Sequence, residues 1–435
     1  MQSEKIMNRW WVVFGAILVQ LCLGAIYAWS AFTGKLTAAD GPFHFTKTQT
    51  QIIFSLGLAT FAVIMALIAG KWQAKVGPRI VAITGGVILG IGYIIGGLSG
   101  ANFWGILVGV GLLGGAGIGL GYVCPIATCI KWFPDKKGLI TGFAVAGFGF
   151  GALIWIKLTS GFVFGPINLT PGWNGLYGMG MGVSNVFILY GIIFAALVIF
   201  GAIFLKNPPD GWKPQGWDPQ SSGTQTAAIG QTNFTTSQMV KTPQYWTLFL
   251  LFMIGATAGL MVIGVIGLFG KEALVSNGVD AAKATIISGT AMGLFYALMN
   301  GLGRIIWGSI SDKIGRKNSI IIMSITQGCM MILFYYIGGI EWGLYISAAL
   351  IGFNFGGNFA LFPSATADYF GNKNVGTNYP WVFLSYGVGG IIGPILGGIM
   401  GDAKAWMWAF IPCGIACILA GILAFTLKPP VLKNE

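Results

Sequence analysis

Charge is scarce in this sequence. Only 8% of its 435 residues are Asp, Glu, Lys or Arg, against about 25% in an average soluble domain. A soluble fold of this length needs more polar surface, so that class is excluded. Acid is the scarcer sign, with 12 Asp and Glu against 24 Lys and Arg. Histidine occurs once, at His44, and no His/Cys spacing suits a metal. The six cysteines (Cys22, Cys124, Cys129, Cys329, Cys413 and Cys417) all fall inside apolar stretches. Cys413 and Cys417 stand one helical turn apart and read as small packed thiols rather than a redox or metal pair. No group of acids, His or nucleophile with base falls within the apolar stretches, which sets a membrane enzyme aside and leaves no cofactor to expect.

Apolar residues and glycine are abundant. Hydrophobic residues make up 55% of the chain, with 70 Gly, 16 Trp and 31 Phe. Glycine at this level weakens soluble helices but suits membrane helices, whose backbones approach closely over small residues. A helix needs about 20 apolar residues to span a bilayer. Twelve such runs are present, at 9–34, 48–70, 79–98, 103–130, 138–164, 182–205, 244–269, 284–309, 319–338, 343–367, 376–400 and 404–427. The first is too long for a signal-peptide core and reads as a retained helix. The glycines at 114, 115, 117, 119 and 121 follow no strand, so they fit helix packing rather than a dinucleotide loop.

The expected class is an all-α membrane protein of twelve transmembrane helices in two six-helix bundles. Residues 1–205 form the first bundle, 206–243 a cytoplasmic linker rich in Pro, Gly, Gln, Ser and Thr, and 244–435 the second. With both termini cytoplasmic, 17 of the 24 basic residues lie on the cytoplasmic side. Five lie in outer loops (Lys35, Lys47, Lys271, Lys283 and Lys404), and Lys157 and Arg304 stand within helices. That bias orients the chain and explains the net charge of +12 without nucleic acid.

The two bundles repeat. Gly70-Lys71-Trp72-Gln73-Ala74-Lys75-Val76-Gly77 aligns with Gly308-Ser309-Ile310-Ser311-Asp312-Lys313-Ile314-Gly315 at an offset of 238. Pro125 with Pro363, Gly149 with Gly387 and Gly151 with Gly389 share that offset. A parallel repeat implies two bundles about an axis along the membrane normal, substrate between them, and alternating access by rocking.

Charges inside a membrane are costly, at roughly 2.5–3.5 kcal/mol each on insertion scales, and so tend to face a cavity. Arg304, in the eighth helix beside Gly301 and Gly303, has no acid within that helix. An unneutralised guanidinium can grip a carboxylate by two parallel hydrogen bonds. The competing expectation is a side chain that snorkels to the surface or braces Asp312. Asn300 lies one turn before Arg304 and can share its cavity or serve as a packing amide. Lys157 lies about 28 Å along the fifth helix at 1.5 Å per residue, near the outer face, where snorkelling is the expectation. Of the aromatics Tyr27, Trp29, Tyr122, Phe148, Phe355, Phe359, Phe383 and Tyr386, any one alone is more often packing. The Tyr hydroxyls need partners at mid-membrane, which favours Tyr27, Tyr122 and Tyr386.

The loop Gly308–Lys317 matches the major facilitator signature G-x-x-x-D-x-x-G-R-[KR]; in the first copy Ala74 replaces the acid. It is expected to brace neighbouring helices. Further segments are Leu23-Gly24-Ala25-Ile26-Tyr27-Ala28-Trp29-Ser30, Lys131-Trp132-Phe133-Pro134-Asp135-Lys136-Lys137-Gly138, Thr242-Pro243-Gln244-Tyr245-Trp246, and Ala360-Leu361-Phe362-Pro363-Ser364. With them, nearly the whole chain resembles the oxalate/formate antiporter family of that superfamily, related to monocarboxylate transporters. The resemblance implies a substrate-binding role for Arg304 and a pocket lined by Tyr27 and Tyr122. Phe148, Phe355, Phe359 and Phe383 would stand where that pocket has Tyr, Trp, Tyr and Trp. Tyr386 stands where the oxalate exchangers have a second cation, a Lys.

One Arg suits one carboxylate, since a second carboxylate without a partner in a desolvated pocket costs several kcal/mol, of the order of a broken buried ion pair. The expected function is therefore a secondary transporter of small monocarboxylates of the lactate, pyruvate or formate class. It would be proton-coupled, monomeric and set in the cell membrane. Asn300 stands where the monocarboxylate transporters have an acid, which leaves open whether a proton accompanies the substrate or anions exchange. The alternatives are an oxalate/formate or other carboxylate exchanger and a non-transporting membrane sensor.

Overall fold

The structure is a computed structural model that describes residues 7–133, 137–161, 163–164, 167–168, 174–209, 212, 214, 233–371 and 374–430. Most of the expected linker, and Pro134-Asp135-Lys136 of the motif, lie outside the described residues. Twelve helices among the described residues are long and apolar enough to cross a membrane. They are α1 (Arg9–Leu36), α2 (Lys47–Val76), α3 (Pro78–Leu98), α4 (Phe103–Cys129), α5 (Gly142–Ser160) and α6 (Val183–Ala202). The second set is α7 (Pro243–Ser276), α8 (Ala281–Ile314), α9 (Arg316–Ile337), α10 (Glu341–Phe370), α11 (Val375–Asp402) and α12 (Trp406–Thr426). A two-residue antiparallel pair, Val163–Phe164 with Ile167–Asn168, lies between α5 and α6.

Each apolar run marks one helix, but several helices are longer than their runs. α7 continues to Ser276, and α8 spans Ala281–Ile314 where 284–309 is expected. Hydropathy marks only the stretch facing lipid, while polar turns carrying Lys271, Glu272 and Asp312 extend the helices past it.

The repeat is visible in the backbone. α2 ends at Gly77 with φ of 88°, and α8 ends at Gly315 with φ of 86°. Both need a conformation that glycine adopts without strain. Pro125 and Pro363 both sit inside helices, α4 and α10.

The glycines of α4 are contact points, as expected. A Cβ at Gly115 would come within 2.3 Å of Gly57 O on α2, and one at Gly117 within 2.6 Å of Gly85 O on α3. α5 packs on α8, and α2 packs on α11. A Cβ at Gly149 of α5 would meet Gly301 Cα of α8 at 2.9 Å, and one at Gly390 of α11 would meet Leu58 Cβ of α2 at 2.7 Å.

The signature loop braces its neighbours through Arg316. Its guanidinium pairs with Asp312 at the end of α8 at 2.8 Å and with Asp368 at the end of α10 at 2.9 Å. It also donates to Ser311. The end of the linker that is described docks through Phe234 and Met239, both buried. Thr236–Val240 is a short helix begun by the Thr235–Gln238 capping box, and the Asn374 and Asn378 amides at the start of α11 donate to Phe234 O.

The membrane face opposite the termini is fastened by polar contacts between α2 and helices of the second set. Asp402 of α11 accepts from Lys47 N and Thr48 N, each at 3.0 Å, and from the Thr48 hydroxyl at 2.6 Å. An acid from one helix thereby satisfies the otherwise orphaned first donors of another. The Lys47 ammonium pairs with Glu272 of α7 and donates to Gly401 O at 3.0 Å. The Trp406 indole donates to the other Glu272 oxygen at 2.9 Å. One turn further in, Gln51 Nε2 donates to Gly264 O of α7 at 3.1 Å.

Candidate functional site

Arg304 lies where α5 and α8 cross, and it is 0% exposed. Tyr296, Asn300 and Arg304 follow one another by four residues and so share one face of α8. Nε of Arg304 donates to Asn300 Oδ1 at 3.3 Å, and Nη1 donates to the Val145 carbonyl of α5 at 2.9 Å. Nη2 is buried with no hydrogen-bond partner among the described residues. Phe359 of α10 lies under the guanidinium at 4.0 Å from its ring centre, and Phe148 of α5 at 5.5 Å. Both contacts are attractive for a desolvated cation. Neither Asp nor Glu bonds to Arg304 among the described residues.

Two sequence expectations change. Arg304 neither snorkels nor braces Asp312, which pairs with Arg316 instead. Nor does it sit open to a water-filled passage with a free two-point fork, because the helices close over it and two of its nitrogens are engaged. The glycines beside it serve that closure. A Cβ at Gly301 would strike the Phe150 ring at 2.2 Å, and one at Gly303 the Phe353 carbonyl at 2.1 Å. Their space is filled by neighbouring helices.

The structure brings the remaining candidates together around this cation. Tyr27 and Tyr386 join hydroxyls at 2.9 Å between α1 and α11. The Tyr27 ring meets Phe148 at 5.0 Å and Phe355 at 5.6 Å. Tyr122 meets Phe148 at 5.2 Å and Phe383 at 5.6 Å. Phe355 meets Phe359 at 5.2 Å, Phe359 meets Tyr386 at 5.5 Å, and Phe383 meets Tyr386 at 4.7 Å. All seven aromatics, with Asn300, are buried. Their rings form one continuous cage, contributed by α1, α4, α5, α10 and α11. Tyr27 owes its position to an interruption of α1, where Gly24–Trp29 tightens into a 3₁₀ segment. A Cβ at Gly24 would come 2.1 Å from Phe148 O, so α1 rests directly on the backbone of α5.

Sequence reasoning missed four members of the cage. Phe61 of α2 meets Phe383 at 5.2 Å and Tyr386 at 5.7 Å. Phe252 of α7 meets Phe383 at 5.9 Å. Tyr296 donates to Gly259 O at 3.0 Å, and Tyr379 meets Phe383 at 5.7 Å. Helical register alone could have found the last two, because Tyr296 precedes Asn300 by four and Tyr379 precedes Phe383 by four and Tyr386 by seven. Trp29, by contrast, turns away from the cage and donates to Thr50 O at 3.0 Å. Lys157 does not snorkel. It is 3% exposed, and its stem packs against α8, where a Cβ at Gly293 would come 3.2 Å from Lys157 Cε.

The sequence model of the Major Facilitator Superfamily matches residues 9–340 and 279–435, which together take in almost the entire chain. The chain belongs to the major facilitator superfamily. This major facilitator protein is 31% identical over 389 residues to an uncharacterized MFS-type transporter, YhjX, of Escherichia coli, covering 88% of this chain and 86% of the relative. It is 27% identical over 430 residues to the oxalate:formate antiporter of Oxalobacter formigenes, covering 97% and 92%. It is 24% identical over 451 residues to apicoplast pyruvate carrier 1 of Toxoplasma gondii, covering 86% and 80%. The protein is thus an integral multi-pass membrane transporter of this superfamily and not an enzyme.

Proposed function

We propose that the protein is a secondary active transporter of small monocarboxylates, of the lactate, pyruvate or formate class, working by alternating access. Its two six-helix bundles, 1–205 and 244–435, rock about the cage, and the segment 206–243 links them. The carrying observation is the buried guanidinium of Arg304 with no acid bonded to it among the described residues. A buried guanidinium with no acid bonded to it attracts one anionic group strongly, and a second carboxylate would go unpaired in the same aromatic cage. Tyr386, neutral and bonded to Tyr27, supports that limit. The names of the relatives, an oxalate:formate antiporter and a pyruvate carrier, support a carboxylate substrate.

In this reading the substrate-binding residues are Arg304, Asn300, Tyr27, Tyr122, Phe148, Phe355, Phe359, Phe383 and Tyr386. The protein sits in the cell membrane as a monomer with both termini cytoplasmic, so the Lys47–Glu272–Asp402 fastening closes the outer face. Coupling is to protons, with the proton travelling on or beside the substrate because Asn300 replaces an acid next to Arg304. The test is uptake by purified protein in liposomes. Labelled lactate or pyruvate accumulates when an inward proton gradient is imposed, and oxalate competes poorly. Uptake of oxalate with lactate and pyruvate ignored would overturn the reading.

A second reading is anion exchange. It is favoured by the similarity to an oxalate:formate antiporter over 97% of this chain. Uptake indifferent to pH gradients but accelerated by internal anion would decide for it.

A further inference from the structure

We infer that Tyr379 is a further donor to the transported anion, its phenolic hydrogen filling a carboxylate lone-pair site that Arg304 leaves open. This rests on the carboxylate reading above and adds a residue outside the set named there.

The argument is a count of donors. A guanidinium offers five N–H groups in a fixed fork, and a carboxylate has two oxygens to satisfy. Here the Nε hydrogen and one of the two Nη1 hydrogens of Arg304 are turned to Asn300 and Val145, so three N–H groups remain, two of them on the unengaged Nη2. A carboxylate offers about four lone-pair sites, so these three leave at least one open. That site gains from a further donor, since a desolvated carboxylate lone pair without one is costly. Tyr296 is committed to Gly259 O, the Tyr122 hydroxyl interacts with Arg304, and of Tyr27 and Tyr386 one donates to the other, which leaves only the accepting hydroxyl's own hydrogen.

The Tyr379 hydroxyl is different. It is buried with no hydrogen-bond partner among the described residues, although a phenol away from water ordinarily finds one. Its place on α11 puts it one turn from Phe383 and two from Tyr386, on the face that walls the cage. Its ring meets Phe383 at 5.7 Å, and Phe383 meets Tyr122 at 5.6 Å. It also lies within electrostatic range of Arg304, Tyr122 and Tyr27. The two buried donors without partners in this region, Nη2 on α8 and the hydroxyl on α11, thus serve one cage. An anion that takes both links α8 to α11, and its departure frees both.

The experiment is Tyr379→Phe, which removes one oxygen and keeps the ring. In liposomes the half-saturation concentration for lactate or pyruvate should rise about tenfold or more, as for loss of a hydrogen bond to a charged group. The maximal rate should stay within about twofold and the melting temperature unchanged. An unchanged half-saturation overturns the inference and leaves the monocarboxylate reading standing. A lowered melting temperature with unchanged half-saturation assigns the hydroxyl to packing, and overturns it equally. If wild-type protein carries no monocarboxylate at all, the functional reading itself falls, and this inference with it.

Discussion

Arg304 of α8 and Val145 of α5 are joined by a 2.9 Å hydrogen bond from Nη1 to the backbone carbonyl, so the one buried guanidinium among the described residues bonds to a helix of the other six-helix set. The same residue therefore stabilises the closed arrangement and offers the charge that an anion would meet. Arg304→Lys keeps the charge, but an ammonium cannot serve Asn300, Val145 and an anion from one planar fork. Uptake should fall by roughly 100-fold, the upper range for losing charge-assisted hydrogen bonds. Size-exclusion profiles should match wild type, and full uptake would remove Arg304 from the site.

In the proposed reading the number of cations in the cage sets the charge of the substrate. Tyr386→Lys places a second cation in the cage where Tyr27 now holds a hydroxyl at 2.9 Å. The variant should lose uptake of lactate and gain oxalate as a competitor, measured with a panel of mono- and dicarboxylates against one labelled acid. If the preference for monocarboxylates persists, the charge-count argument is wrong.

The fastening on the face opposite the termini should control opening on that side. Asp402→Asn weakens the cap on α2, and Glu272→Gln breaks the pair with Lys47. Ser55, one turn inward of Gln51, is buried beneath this layer. A Ser55→Cys reporter should react with a membrane-impermeant maleimide several-fold faster in either background. Equal rates in all backgrounds would show that other contacts hold that face shut.

The seam between α8 and α10 leaves no room for side chains. A Cβ at Gly356 would come 2.1 Å from the Asn300 carbonyl. Gly356→Ala should cost about 1–3 kcal/mol, the usual range for overpacking, and lower the melting temperature of the purified protein. Because Asn300 must shift, transport should suffer more than stability. A variant with wild-type melting and uptake would contradict the packing described.

These features differ in how far the sequence reveals them. Hydropathy locates all twelve helices because each must hide its backbone from lipid, and the offset of 238 finds the paired turns at Gly77 and Gly315. Arg304 stands out because a charge amid apolar residues is rare. Tyr296 and Tyr379 carry no charge to mark them, and in the sequence only their register with Asn300, Phe383 and Tyr386 ties them to the site. The fastening was out of reach for a different reason. Lys47, Glu272 and Asp402 lie more than a hundred residues apart and look like unremarked loop charges. Lys157 departs from the sequence expectation because distance along α5 gives depth but not side, and it packs toward α8 rather than outward.

The complete burial of Arg304 has a thermodynamic corollary. A ligand can reach that charge only in the fraction of molecules whose helices have parted, so any measured affinity is the intrinsic one diminished by that fraction. Loosening Asp402 or Glu272, far from the cage, should then make the carrier bind its anion more tightly without altering a single group that touches it.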